Sequence, residues 1–209
     1  MGPRGYPIQP HDEDRMPETT MAQLLERVQG CRVCEASLEH GVRPVLQVSE
    51  KARVLIAGQA PGRRVHESGV PFDDPSGDRL RDWMGVSREE FYDPEKVAIL
   101  PMGFCYPGTG RSGDLPPRRE CAEEWRGELM GRLASVHLTL VIGQYAAKWH
   151  LGSGGAKLTD LVKSWADYAP ARIPLPHPSP RNNIWLAKNP WFESDVLPSL
   201  KGLVAQALR

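Results

Sequence analysis

Four short apolar runs, each followed by a loop that starts at or contains glycine or proline, restrict most strongly what this chain can fold into. The runs cover residues 53–57, 97–101, 138–142 and 172–175, and their length and composition are typical of buried strands. Helix-like stretches separate and follow them, at 78–84, 118–133, 144–151, 158–165 and 192–208. Strands that alternate with helices favour an α/β fold. We therefore predict a three-layer αβα sandwich around a central four-stranded, mostly parallel sheet.

The loops after these runs predict where a ligand binds. In open α/β sheets the ligand lies beyond the carboxyl ends of the strands. The first loop is GQAPG at 58–62, the second is PMGFCYPG at 101–108, and the last is PHPSPRNN at 176–183. The third run continues directly into Gly143-Gln144. We expect the chemistry of the protein where these loops converge.

Composition limits the class of protein without choosing its partner. A length of 209 residues with 40% hydrophobic residues predicts a single domain, which we place at 19–209. Residues 1–18 are rich in proline and charge and lack the apolar segment of a secretory signal, so we predict a disordered tail and a cytoplasmic protein. No run approaches the ~20 apolar residues of a membrane span. The 26 basic and 26 acidic residues balance, which neither requires nor excludes DNA as a partner.

The GQAPG loop has the composition of a site that presents backbone amides to a ligand. Gly58 and Gly62 allow a close backbone approach, and Pro61 stiffens the turn without offering an amide hydrogen. The N–H groups of Gln59 and Ala60 can then face a carbonyl or an anion. Taken alone, the same pattern also fits an ordinary turn between a strand and a helix.

The HPSPRN segment at 177–182 offers polar side chains on a loop made rigid by two prolines. His177 stands at its head, where an imidazole can stabilise negative charge on a leaving group. Ser179 can bond a phosphate. A lone histidine is more often a hydrogen-bonded structural residue, so this segment also carries little weight alone.

The two loops together change the interpretation. In this order, and roughly a hundred residues apart, they resemble the two signature motifs of the uracil-DNA glycosylase superfamily. The stretch PFDDPSGDRL at 71–80 is similar to a segment of the iron–sulfur branch of that family, whose phenylalanine stacks on the flipped base. The resemblance extends from about Cys31 to the last predicted helix.

The resemblance implies an enzyme that hydrolyses the N-glycosidic bond of uracil in DNA by base flipping and leaves an abasic site. Phe72 would stack on the base, with Gly58, Ala60 and Gly62 completing the base-binding pocket. His177 and the first-loop amides would stabilise the departing base, and Gln59 would orient water. The acidic candidates for a general base are Asp73 and Asp74, ranked ahead of His66 and Glu67.

DNA contacts follow from the same resemblance. Arg181 occupies the place of the residue that fills the gap left by the flipped base, and an arginine there can also pair with phosphate. Ser179, Asn182 and Arg63 are further predicted DNA contacts. The expected partner is uracil-containing DNA, bound by a monomer associated with the nucleoid.

Four cysteines form two pairs, Cys31-x2-Cys34 and Cys105-x15-Cys121. In a reducing cytosol such a set favours metal binding over disulfides. Spacing alone leaves a 4Fe-4S cluster, zinc and free thiols open. The resemblance favours the 4Fe-4S cluster, since the iron–sulfur branch has a similar arrangement.

Departures from the family pattern define the rival hypotheses. Gln59 replaces the glutamate of the branch, Ala60 replaces a water-positioning Asp or Asn, and Pro101 stands where an asparagine reads the uracil edge. One rival is a damage-binding protein without catalysis. A second is a glycosylase with a shifted preference for hypoxanthine or xanthine. A third is a protein trapped covalently on abasic DNA through His66.

Overall fold

The computed structural model describes residues 20–111 and 113–209, and the predicted tail at 1–18 lies outside them. The described strands are β1 (Val54–Ala57), β2 (Val97–Ile99), β3 (Thr109–Gly110), β4 (Gly113–Asp114), β5 (Leu138–Ile142) and β6 (Arg172–Leu175). Four of them form one sheet in the order β2-β1-β5-β6, and every neighbouring pair is parallel. A small antiparallel hairpin, β3–β4, is separate from it.

Helices occupy most of the remaining described chain, with short 3-10 turns at Glu35–Ser37, Trp165–Asp167 and Pro180–Asn182 and a π-helical turn at Phe192–Val196. None of these helices has the length and apolar character needed to cross a membrane. The α-helices are α1 (Met21–Gln29), α2 (Arg63–Ser68), α3 (Pro75–Met84), α4 (Arg88–Tyr92), α5 (Arg119–Gly131), α6 (Gly143–Leu151), α7 (Leu158–Lys163), α8 (Asn183–Lys188) and α9 (Leu197–Ala207).

Both faces of the sheet are buried, which explains why its strands are uniformly apolar. Val54 and Ile56 of β1 pack with residues of α3, α4 and α9. Leu55, which points to the opposite face, packs with residues of α1 and α5. Helices therefore cover the sheet on two sides, and the predicted three-layer α/β sandwich is confirmed.

The first turn of α3 is capped and packs closely on the preceding loop, which fixes the conformation of that loop. Asp74 caps the helix by accepting the N–H of Gly77 at 2.9 Å, and Pro75 occupies the first helical position, where no amide hydrogen is needed. A Cβ atom on Gly77 would lie 1.8 Å from the carbonyl oxygen of Phe72. Glycine is thus required there, because the backbone at Phe72 packs directly on the first turn.

Candidate active site

A cavity of about 530 Å³ opens at the carboxyl ends of β1, β2 and β6, where the loops were expected to converge. It brings together ten of the site residues predicted from the sequence. These are Gly58, Gln59, Ala60, Gly62, Arg63, Phe72, Asp74, His177, Ser179 and Arg181.

Hydrogen bonds within its own loop fix the position of His177 and indicate which ring nitrogen carries the proton. The backbone N–H of Ser179 donates to Nδ1 of His177 at 3.2 Å, and the side-chain amide of Asn182 donates to the His177 carbonyl at 2.7 Å. Burial lowers the pKa of His177 below 6.5, opposed by the carboxylates of Asp74 and Asp114. A neutral ring that accepts at Nδ1 carries its proton on Nε2. His177 can therefore donate one hydrogen bond from Nε2.

Two carbonyl groups of the GQAPG loop accept hydrogen bonds that anchor the loop, whereas two of its amide N–H groups remain available as donors. The N–H groups of Met102 and Gly103 donate to the carbonyls of Gly58 and Gln59 at 2.9 and 3.0 Å. Among the described residues, the backbone N–H groups of Gln59 and Ala60 have no acceptor. Two adjacent donors at the edge of a cavity form a site for a carbonyl oxygen or an oxyanion.

Phe72 lies between the cavity and the core. A Cβ atom on Gly58 would lie 3.8 Å from the Phe72 ring, so the ring borders the first loop. The ring also packs edge-on against buried Phe91, with centroids 6.1 Å apart, and Phe72 has an unusual φ of 53°. Phe72 therefore lines the cavity, where the sequence analysis placed it, and one side of the residue also packs on the main apolar cluster.

Several predicted residues lie outside the cavity lining. Asp73 forms an ion pair with Arg88 at 3.0 Å, so only its neighbour Asp74 faces the cavity. Asn182 supports the His177 loop instead of lining the site. Nε2 of His66 lies 3.1 Å from the carbonyl oxygen of His40, and neither His66 nor Glu67 contributes to the wall.

The lining residues that the sequence analysis missed include three with polar side chains near the small hairpin: Tyr106, Thr109 and Asp114. The hydroxyls of Tyr106 and Thr109 bond to each other at 2.5 Å. Asp114 belongs to the β3–β4 hairpin, and its Oδ2 would lie 3.5 Å from a Cβ on Gly62. The glycine-rich sequence GTGRSGD at 108–114 is a hairpin signal that could have identified this element.

The rim of the cavity carries arginines. Arg63, Arg64 and Arg181 all contribute to the lining. Ser179 accepts the N–H of Arg181 through Oγ, and Arg79 donates to the Ser179 carbonyl at 3.1 Å. The His177 loop is thus braced from α3, and cationic side chains surround the entrance, where a phosphate backbone can bind.

The four cysteines line a second, smaller cavity, and no disulfide joins them. The Phe104 N–H and the Trp125 indole N–H point at the sulfurs of Cys121 and Cys31, each at 3.3 Å. Burial, with smaller contributions from the neighbouring thiols, raises the pKa of Cys121 to about 12. Within residues 20–111 and 113–209, no group of three or more His, Cys, Asp or Glu side chains is placed to hold a metal ion.

A comparison with known protein families matches residues 46–201 to the uracil DNA glycosylase superfamily. The matched range includes both loops, Phe72, the β3–β4 hairpin and every strand of the sheet. Enzymes of this family hydrolyse bonds between bases and deoxyribose during DNA repair, which accounts for a cavity that combines amide donors, a neutral imidazole and a cationic rim. The chain therefore belongs to the uracil DNA glycosylase superfamily, and its general activity is that of a DNA glycosylase.

Proposed function

We propose that this protein excises uracil from DNA by hydrolysing its N-glycosidic bond. The observation that carries the proposal is the meeting of three elements in one cavity: the GQAPG amides, the Phe72 ring and the His177 imidazole. Together they supply donors for a leaving anion and an aromatic face for a planar base.

The reaction begins with extrusion of the nucleotide from the duplex, because the bond is out of reach inside the stack. The base stacks on Phe72 with its oxygens toward the loop amides. As the bond between the base and C1′ breaks, the sugar becomes oxocarbenium-like and the electron pair leaves with uracil. The Nε2–H of His177 and the N–H groups of Gln59 and Ala60 donate to the resulting negative charge. One such donor is typically worth ~3 kcal/mol of barrier.

Water completes the reaction by bonding to C1′ and losing a proton. Asp74 and Asp114 both line the cavity and both act on the charge state of His177. Their carboxylates can stabilise the cationic sugar, and Asp74 can accept the proton, since only its Oδ1 is engaged with Gly77. Gln59 orients the water, and Asp73 takes no part because Arg88 holds it.

The proposed cofactor is a 4Fe-4S cluster held by Cys31, Cys34, Cys105 and Cys121. Four thiols that line one enclosed cavity have the donor chemistry of such a cluster. Thiolates also bind zinc, and metal analysis separates the two. When bound, the cluster crosslinks the segment before β1 to α5.

Metal analysis of protein purified without oxygen tests the cofactor. We expect brown protein with about four irons per chain, and loss of colour in Cys34→Ser. Stoichiometric zinc, or four free thiols without metal, contradicts the cluster.

A second candidate function is excision of hypoxanthine or xanthine. Pro101 lines the cavity and offers neither an amide hydrogen nor a polar side chain to read a uracil edge. Gly62 also adds no side chain of its own to the wall. Both features permit a larger base than uracil.

One panel of labelled oligonucleotides separates the candidates. The duplexes carry deoxyuridine, deoxyinosine, deoxyxanthosine or a thymine mismatch, and base release is measured beside binding. We expect fastest release from deoxyuridine. Faster release of either purine favours the second candidate, whereas tight binding without release indicates a damage-binding protein. A DNA adduct that survives denaturation and is lost in His66→Ala indicates covalent trapping.

A further inference from the structure

Phe72 has a backbone conformation that residues with bulky side chains avoid. Its φ of 53° is the only positive value for a non-glycine residue in the part of the chain that the structure describes. Such strain persists only where the surrounding structure holds it in place. Because the strained residue also lines the base cavity, the contacts that hold it bear on the reaction.

The first turn of α3 holds Phe72 from one side. A Cβ atom on Gly77 would lie 1.8 Å from the Phe72 carbonyl oxygen, so this oxygen packs directly on the glycine. Asp74 fixes the same turn by accepting the Gly77 N–H. These contacts hold the carbonyl side of Phe72, and they involve neither Pro71 nor the side chain of Asp73.

The short helix α4 holds the residues on both sides of Phe72. The Tyr92 hydroxyl donates to the Pro71 carbonyl at 3.0 Å, and the Arg88 guanidinium donates to Oδ1 of Asp73 at 3.0 Å. The same guanidinium lies over the Tyr92 ring, 4.9 Å from its centroid, which is an attractive arrangement. Two side chains of one helix, in contact with each other, therefore fix the residue before Phe72 and the residue after it.

The helix that carries these two side chains is itself well anchored. Ser87 and Glu90 form a capping box at its start, which satisfies amides that the first turn would leave unpaired. Phe91 is fully buried and packs edge-on against the Tyr92 ring, with centroids 5.2 Å apart. The Tyr92 hydroxyl and the Arg88 guanidinium therefore act on the loop from a helix that is fixed to the core.

We propose that Tyr92 and Arg88 are positioning residues that hold Phe72 in its strained conformation, with its ring presented to the flipped base. This inference rests on the proposed function and on the stacking role of Phe72 within it. Neither Tyr92 nor Arg88 lines the cavity, so both act through Phe72. Without their contacts the backbone relaxes towards negative φ, and the ring leaves the position in which it stacks on the base.

A double-mutant cycle tests whether these residues act through Phe72. Tyr92→Phe removes the hydroxyl and keeps the ring, and Arg88→Met removes the charge and keeps the length of the side chain. Each is made in the wild type and in Phe72→Ala. The control is Lys96→Met, which breaks an ion pair with Glu90 of the same helix. Single-turnover uracil release at saturating DNA, affinity for deoxyuridine DNA and thermal unfolding are measured for every protein.

We expect single-turnover release to fall about three- to tenfold in Tyr92→Phe, because one hydrogen bond is lost. Arg88→Met should lose about two- to fivefold, since its ion pair is partly exposed. In Phe72→Ala, neither substitution should lower the rate further. Lys96→Met should keep the wild-type rate.

Two results overturn the inference: a wild-type rate in Tyr92→Phe, and a loss of rate that is equally large with and without the Phe72 ring. A lower unfolding midpoint with an unchanged rate also overturns it, because the role of Tyr92 is then structural only. If Tyr92→Phe does not fold, Arg88→Met decides by the same comparison. Failure of the proposed function is distinguishable, because the wild type would then release no uracil, and the coupling to Phe72 is measured through the affinity for deoxyuridine DNA.

Discussion

The base cavity and the cysteine cavity share a segment of chain but differ in every other respect. Residues 101–106 lie between them, with Pro101 and Tyr106 facing the base cavity and Cys105 facing the cysteines. The base cavity is open and lined with unpaired donors and carboxylates. The cysteine cavity is small, and apolar side chains such as Leu38 and Trp125 enclose its sulfurs. The first region therefore presents polar groups to the solvent, whereas the second encloses its sulfurs.

This difference predicts that substitutions in the two regions have different effects on catalysis and on stability. Groups that face the open side of the base cavity are expected to affect catalysis more than stability when they are removed. Groups around the cysteines and behind Pro101 are buried and bonded, so their removal affects the fold first. Functional sites in general combine such strained or unpaired groups with a stable surrounding scaffold.

The largest effect should come from His177→Ala. The variant loses the Nε2–H donor to the departing base, and we expect uracil excision to fall about a hundredfold or more. Thermal unfolding should change little, since the loop keeps its prolines and the Arg79 brace. His137→Ala, at the amino end of β5, is the matched control and should retain full activity. Wild-type excision by folded His177→Ala protein contradicts the assignment.

Phe72→Ala should lose roughly ten- to a hundredfold in excision, because base stacking on an aromatic is worth ~1–3 kcal/mol. The contact with Phe91 adds a stability cost of about 1–2 kcal/mol, since aromatic pairs contribute beyond their buried area. Phe72→Trp should retain much of the activity.

Phe91→Leu provides the control for Phe72. Phe91 is fully buried, so its truncation should lower the unfolding midpoint while the folded protein remains active. The stacking role is excluded if Phe72→Ala behaves in the same way as Phe91→Leu.

The sheet could be predicted from the sequence because its strands are buried on both faces. Uninterrupted apolar runs gave β5 and β6 their observed bounds, and β1 and β2 differ from prediction only at their ends. The helices α2, α4 and α8 were missed, since five or six residues are too few to show an apolar period. Tertiary contacts with neighbouring elements stabilise these short helices.

The site was predictable where it depends on strand ends and unpredictable where it depends on side-chain pairing. Gln59 and His177 follow strands, so topology alone brings their loops together. Asp73 pairs with Arg88, whereas Asp74 caps a helix and faces the cavity. This difference depends on a single turn of backbone. The burial of Arg126 could not be predicted, because an arginine in an amphipathic helix is ordinarily exposed.

The pH dependence of stability tests the environment of His150, a partly buried residue that contacts Arg126. Burial, with a smaller contribution from Arg126, lowers the pKa of His150 from 6.5 to about 3. Between these values the unfolded chain binds a proton that the folded protein does not, so stability falls as pH decreases below 6.5. From pH 7 to pH 5 we expect a loss of about 1–2 kcal/mol.

His150→Gln isolates this contribution. The glutamine oxygen can still accept from Arg126 but does not titrate in this range, so the same pH change should cost this variant less. Denaturant unfolding at both pH values measures the difference. Equal pH dependence in the two proteins shows that His150 takes up its proton without cost in the folded state.

The smallest effect concerns the cationic rim, where Arg181 can act in two ways. If it contacts a phosphate, Arg181→Ala should weaken DNA binding and reduce the slope of log K against log salt by about 0.9. If it fills the space of the flipped base, excision falls while the slope stays constant. We expect the phosphate role, since Arg63 and Arg64 line the same cavity. Arg53→Ala, at the amino end of β1, is the control and should leave both quantities unchanged. Because Arg181 is exposed, its loss should also leave the unfolding midpoint unaltered. An unchanged slope together with unchanged excision removes Arg181 from the site.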